Sequence, residues 1–188
     1  MVKKILITGA NGFLGSAITK LGIKKGYKVS ILVRKNSNLI NLKPFLSKLK
    51  VYYGNLEDIE SLNQPIKDND VIFHVAADYR LWSRKPAEIY AANVLGTENI
   101  ALKTLTHNKI LIYTSSVATL KLKKDFISDE NSVARFDDMV GDYKKSKFLA
   151  EKIISSFIKK KKLKGIIVNP STPIGEGDIK PTDRKSVV

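Results

Sequence analysis

A chain of 188 residues, 43% of them hydrophobic, is long enough for one compact domain with a real core and short for two. It has no cysteine and only two histidines, His74 and His107, which excludes a disulfide framework, a thiolate metal centre and a histidine-based zinc site. The formal net charge of +15 is carried by scattered lysines; only five of the 33 basic residues are arginine, and no aromatic side chains interleave with the basic run 159–162, so no nucleic-acid surface is expected.

No apolar stretch approaches the ~18 residues needed to span a bilayer. Residues 1–10 lack a signal-peptide layout, because their short apolar run passes straight into glycines. The expectation is a soluble cytoplasmic protein with no membrane or nucleic-acid partner, whose positive field suits anionic small molecules.

Residues 3–8 (KKILIT) read as a buried parallel strand. Residues 12–25 place Phe13, Leu14, Ala17, Ile18 and Leu21 at helical spacing, with Gly26 as the stop. A second strand is expected over 28–33, a weaker helix interrupted by Pro44 over 39–49, a third strand over 50–53 and a short helix over 57–66. A fourth strand follows over 70–75. A long helix over 86–106 has Pro86 in its first turn. A fifth strand spans 109–114, a long loop 117–140, a long helix 142–160 and a sixth strand 164–169. This alternation predicts an α/β fold, a doubly wound parallel sheet covered by helices on both faces.

Gly9, Gly12 and Gly15, with Asn11, Phe13 and Leu14 between them, lie between the first strand and the first helix. Glycines there let the backbone approach a pyrophosphate, and the helix N-terminus offers free N–H groups. The spacing GxxGxxG, at an N-terminal strand, resembles that of the extended and atypical short-chain dehydrogenase/reductases.

The second strand ends in Arg34 and Lys35, with no carboxylate to accept from ribose hydroxyls. A guanidinium there suits a 2′-phosphate, so NADP is the expected cofactor, with NAD as the other possibility. Four further segments carry the same resemblance. Asn55 and Leu56 stand where the family has an Asp and a residue packing on adenine; Asn in place of Asp is a mild departure. Ala76 and Ala77 follow the fourth strand, where small residues let cofactor pass. Asn93-Val94-x-Gly96-Thr97 resembles a family segment whose Asn braces the strands, while His74 reads as a structural histidine.

Tyr143 and Lys147, four apart, share a helical face and match the family's Tyr-x-x-x-Lys. A free tyrosine titrates near ~10, and an adjacent ammonium favours its phenolate. By the same resemblance, Ser116 orients the substrate carbonyl or hydroxyl, with Ser115 as the fallback, and Lys147 also bonds the nicotinamide ribose. Pro170, in Asn169-Pro170-Ser171-Thr172-Pro173-Ile174-Gly175, falls where the family lies against the nicotinamide. That segment is similar to dihydroflavonol-reductase-like proteins and, nearer still, to bacterial hopanoid-associated sugar epimerases.

The resemblance implies an NAD(P)-dependent oxidoreductase or epimerase acting on a sugar-like or dihydroflavonol-like small molecule, with a possible homodimer through the two long helices. It covers residues 2 to 181; the polar stretch 182–188 falls outside it. Extended members continue further into a substrate subdomain. A fragment with that subdomain largely missing is therefore expected, and a truncated non-catalytic NAD(P)-binding module is the alternative to an enzyme.

Overall fold

The β-branched runs form strands, and the amphipathic stretches between them form helices. The computed structural model describes residues 3–121, 127–132 and 134–178. In chain order these contain β1 (Lys4–Thr8), α1 (Phe13–Lys24), β2 (Lys28–Val33), β3 (Leu49–Tyr53), α2 (Asn63–Lys67), β4 (Val71–His74), α3 (Pro86–Tyr90), α4 (Gly96–Thr106), β5 (Ile110–Thr114), α5 (Asp142–Lys161) and β6 (Lys164–Val168). All six strands are parallel, in the order β3-β2-β1-β4-β5-β6. This is the Rossmann-type doubly wound sheet that the alternation predicts.

Strand periodicity divides the core in two. Leu6, Leu32, Ile72, Leu111 and Tyr113 face α4 and α5, where they pack with Ile100, Ala101, Ala150, Ile154 and Phe157. Ile5, Ile7, Val29, Ile31 and Val33 face the other way and pack with Ile18 of α1 and with Leu42. Leu6, Ile7 and Ile31 are completely buried, each contributing about 2 kcal/mol by area. The second face is less covered at its far edge, where Ile110, Ile166 and Val168 are exposed.

The chain reverses its direction of travel across the sheet between β1 and β4, and crevices form beyond the carboxyl ends of strands at such a switch. Thr8 is paired with Leu32 on one side and His74 on the other. The residues after β1, β2 and β4 therefore emerge side by side at one end of the sheet.

Several elements differ from the sequence reading. Residues 40–48 form a 3₁₀ helix, not an α-helix, with Pro44 inside it; proline lacks the N–H an α-helix needs. The helix expected over 57–66 is a 3₁₀ turn at Ile59–Leu62 followed by α2. The long helix over 86–106 contains a π-helical turn, Ala91–Leu95, between α3 and α4. The loop over 117–140 holds 3₁₀ turns at Val117–Thr119 and Phe136–Asp138. The stretch 182–188 lies outside the described residues. Among the described residues, no helix is long and apolar enough to cross a membrane.

Candidate functional site

The glycine turn is fixed by contact. Gly9 has φ +68°, and a Cβ there would lie 2.6 Å from the backbone of Ala76. At Gly15 a Cβ would lie 2.1 Å from the carbonyl oxygen of Gly9. The turn closes with Gly12 N–H donating to Gly9 O at 3.0 Å. Gly12 is also the N-cap of α1, with no side-chain cap and no acidic residue in the first turn. With neither a side-chain cap nor an acid there, the N-terminus of α1 keeps the partial positive charge of the helix dipole.

This turn forms one end of a cavity of about 970 Å³. The candidate cofactor-binding and catalytic residues lie on its wall: Gly9, Asn11, Gly12, Phe13, Leu14, Gly15, Arg34, Asn55, Leu56, Ala76, Ala77, Ser116, Tyr143, Lys147 and Pro170. The reason is topological, since each follows a strand at the same sheet end or opens a helix there. Arg34 is exposed at the end of β2. Leu56 is seated against α4, where a Cβ on Gly96 would come within 2.7 Å of Leu56 Cβ. Asn99 Nδ2 donates to Leu56 O at 2.9 Å and holds this wall in place.

Lys147 is almost fully buried, 3% exposed. Its Nζ donates to Thr114 O at 2.7 Å and sits 4.6 Å from the Tyr113 ring centroid. Burial pushes its ammonium down to about 7, against the opposing pull of Glu151. Tyr143, one turn earlier on α5, is half-buried on the same wall. Ser116 Oγ accepts from Ala118 N–H at 3.1 Å. Ser115, the alternative hydroxyl, also reaches the cavity, but it donates to the Glu151 carboxylate.

The bracing residues lie behind this wall. Asn93, in the π-helical turn, is buried; its Nδ2 donates to Asp78 O and Ser146 Oγ, and its Oδ1 accepts from Asp78 N–H at 2.7 Å. A π turn is a common device for re-aiming such a side chain. His74 is completely buried between the hydroxyls of Thr8, at 2.8 Å, and Thr97, at 3.0 Å. Both ring nitrogens are thus engaged, as expected of a structural histidine, and burial holds its pKa down to about 3.

Sequence reasoning missed part of the lining. Tyr79, Leu81 and Ala92 border the cavity, as do Asn36, Ser37, Asn38 and Asp178; Ser171, Thr172 and Pro173, from the segment named with Pro170, line it too. Most lie on loops that carry no periodic signal. Among the described residues, no group of three His, Cys, Asp or Glu side chains could hold a metal ion.

Comparison with known proteins gives consistent matches. The sequence model for the NAD dependent epimerase/dehydratase family matches residues 5–188. A Synechocystis sp. protein provisionally named a dihydroflavonol 4-reductase is 36% identical over 190 residues, covering 100% of this chain and 54% of that protein. A Vitis vinifera anthocyanidin reductase is 30% identical over 193 residues, covering 92% of this chain and 56% of that protein. The crystal structure of gox2253 superimposes with a TM-score of 0.90 at 40% identity, covering 98% of this chain and 56% of that one. A Thermotoga maritima UDP-glucose 4-epimerase shares the fold, with a TM-score of 0.77 at 22% identity over 88% of this chain and 54% of that one. The chain spans about half the length of the curated relatives it matches.

Proposed function

The chain belongs to the NAD dependent epimerase/dehydratase family, and from that premise we propose that it serves an NADP-dependent oxidoreductase or epimerase acting on a small carbonyl or carbinol compound. The observation that carries this reading is the convergence of Ser116, Tyr143 and Lys147 on the cavity that the glycine turn opens.

The residues present fit a dinucleotide. Gly9 and Gly15 let the turn pack too tightly for any Cβ, and the positive end of α1 beside it suits a pyrophosphate. Asn11, Phe13 and Leu14 would border the diphosphate, Asn55 and Leu56 the adenine, and Ala76, Ala77 and Pro170 the path towards the nicotinamide. Arg34 would pair with a 2′-phosphate and so select NADP over NAD. When bound, the nicotinamide supplies or accepts the hydride.

Tyr143 would hold or release a proton at the substrate oxygen, and Ser116 would hydrogen-bond that same oxygen. Lys147, in its ammonium form, would favour the Tyr143 phenolate. Its bond to Thr114 O orients its Nζ. A sugar-like or dihydroflavonol-like substrate accords with relatives named as a dihydroflavonol 4-reductase and an anthocyanidin reductase. The reading extends to a cytoplasmic enzyme pairing as a homodimer through the helical stretch 86–106 and α5; exposed Leu95 and Leu102 on the first of these support it.

Titration of the purified chain with NADPH and NADH, followed by nucleotide fluorescence and melting temperature, tests the reading. The expected result is saturable binding with NADPH preferred. Binding of neither nucleotide overturns it.

A further inference from the structure

Helix α5 carries a third polar side chain on the stripe that bears Tyr143 and Lys147. Glu151 follows Lys147 by four residues, so the three stand one turn apart on one face. A single carboxylate oxygen of Glu151 accepts from Ser115 Oγ, from Thr119 Oγ1 at 2.8 Å and from Asn169 Nδ2 at 2.8 Å. These donors come from three segments: the chain leaving β5, the 3₁₀ turn after it, and the chain leaving β6.

Two of the donors also hold Ser116. Asn169 Nδ2 donates to Ser116 O at 3.1 Å, and the single proton of the Thr119 hydroxyl is shared between Glu151 and that same carbonyl, 2.7 Å away. Val117 N–H donates to Pro170 O at 3.2 Å and closes the ring of contacts. The position of Ser116 relative to Tyr143 is thus set through Glu151, which none of the sequence motifs includes. Neutral groups could tie these segments together without the desolvation cost of a carboxylate. A negative charge here has a second effect, because it lies beside buried Lys147 and favours that ammonium.

We propose that Glu151 is a positioning residue, whose carboxylate pins Ser116 and the Asn169–Pro170 turn to α5 and keeps a negative charge beside Lys147. The proposal rests on the reading of Ser116, Tyr143 and Lys147 as the reacting set. The titratable groups that face Lys147 are Tyr143 and Glu151 from α5, Tyr113 from β5 and His74 from β4. Among them Glu151 is the carboxylate.

The test uses the whole chain and needs no turnover. Glu151→Gln keeps the shape and an acceptor but loses the charge; Glu151→Ala loses both. The Lys147 amine is titrated by NMR of lysine labelled at Cε, its signal assigned by its loss in Lys147→Arg. Amide hydrogen exchange is followed in residues 115–119 and 169–171. Glu151→Gln is expected to move the Lys147 titration to lower pH. Glu151→Ala is expected to speed exchange in those two segments by about tenfold or more, with β1 to β3 unchanged. Glu151→Asp, charged but shorter, is expected to restore the titration while exchange stays fast.

An unmoved Lys147 titration in Glu151→Gln reduces Glu151 to a structural tie and overturns the proposal. Unchanged exchange in Glu151→Ala overturns it as well. A wild-type chain that binds neither NADPH nor NADH overturns the functional reading instead, and the titration and exchange still decide the role of Glu151.

Discussion

Lys147 on α5 donates from its buried Nζ to the carbonyl oxygen of Thr114, the last residue of β5, at 2.7 Å. This one bond docks the helix that bears Tyr143 onto the strand that leads to Ser116. It also takes an ammonium out of water with a neutral acceptor as its hydrogen-bond partner, so the proton on Lys147 is weakly held.

Stability should therefore depend on pH through Lys147. Its pKa is about 7 in the folded protein and returns to 10.5 on unfolding. Between those values the unfolded chain binds more protons, so stability rises with pH, at up to ~1.4 kcal/mol per pH unit. Below about pH 7 the full penalty is present. Urea unfolding at pH 7, 8 and 9 should show this rise, and Lys147→Met should flatten it. A wild-type profile as flat as that of the variant would contradict the argument.

His74 acts in the acid range. Burial holds it neutral down to about pH 3, against 6.5 for the free side chain. The unfolded chain binds the extra proton between those values, so stability falls as pH drops through that window. His74→Gln should make the slope of melting temperature against pH between 4 and 6 shallower. It should also cost about 1–3 kcal/mol at neutral pH, because the Thr8 and Thr97 hydroxyls lose their partner.

The three glycines of the turn should not be equivalent. A methyl at Gly15 meets backbone at 2.1 Å, one at Gly9 meets backbone at 2.6 Å with a positive φ, and one at Gly12 meets its nearest atom at 3.3 Å. Gly15→Ala and Gly9→Ala should each destabilise by about 3 kcal/mol, and Gly12→Ala by under about 1 kcal/mol. Differential scanning calorimetry of the three variants would show the order. Gly12→Ala equal to Gly15→Ala would contradict the geometry.

On the proposed reading, Arg34→Ala should separate the two nucleotides. A charged hydrogen-bonding pair with a 2′-phosphate contributes about 1.5–3 kcal/mol, so the NADPH dissociation constant should rise roughly tenfold or more while that for NADH barely moves. Equal weakening of both would place Arg34 against a feature common to the two nucleotides, and the NADP preference would have to be given up.

Strand content, the strand–helix alternation and the wall of the cavity were legible in the sequence. Periodicity marks which side chains a sheet buries, and in a parallel sheet the residues that follow the strands all emerge at its carboxyl end. Gly9, Arg34 and Ala76 were placed at strand ends on this logic, Ser116 and Pro170 by resemblance to family motifs, and all five share one cavity wall. The π turn that aims Asn93, the 3₁₀ form of residues 40–48 and the Glu151 node were not legible. The π turn and the Glu151 node engage partners 15 to 53 residues away, such as Asp78 and Ser146 for Asn93 or Asn169 for Glu151, and local spacing carries no record of them. By itself the sequence determined the order of elements and the types of side chain at each strand end. Only the tertiary structure decided which of these touch, because distances across a parallel sheet are set by crossovers and packing rather than by separation along the chain.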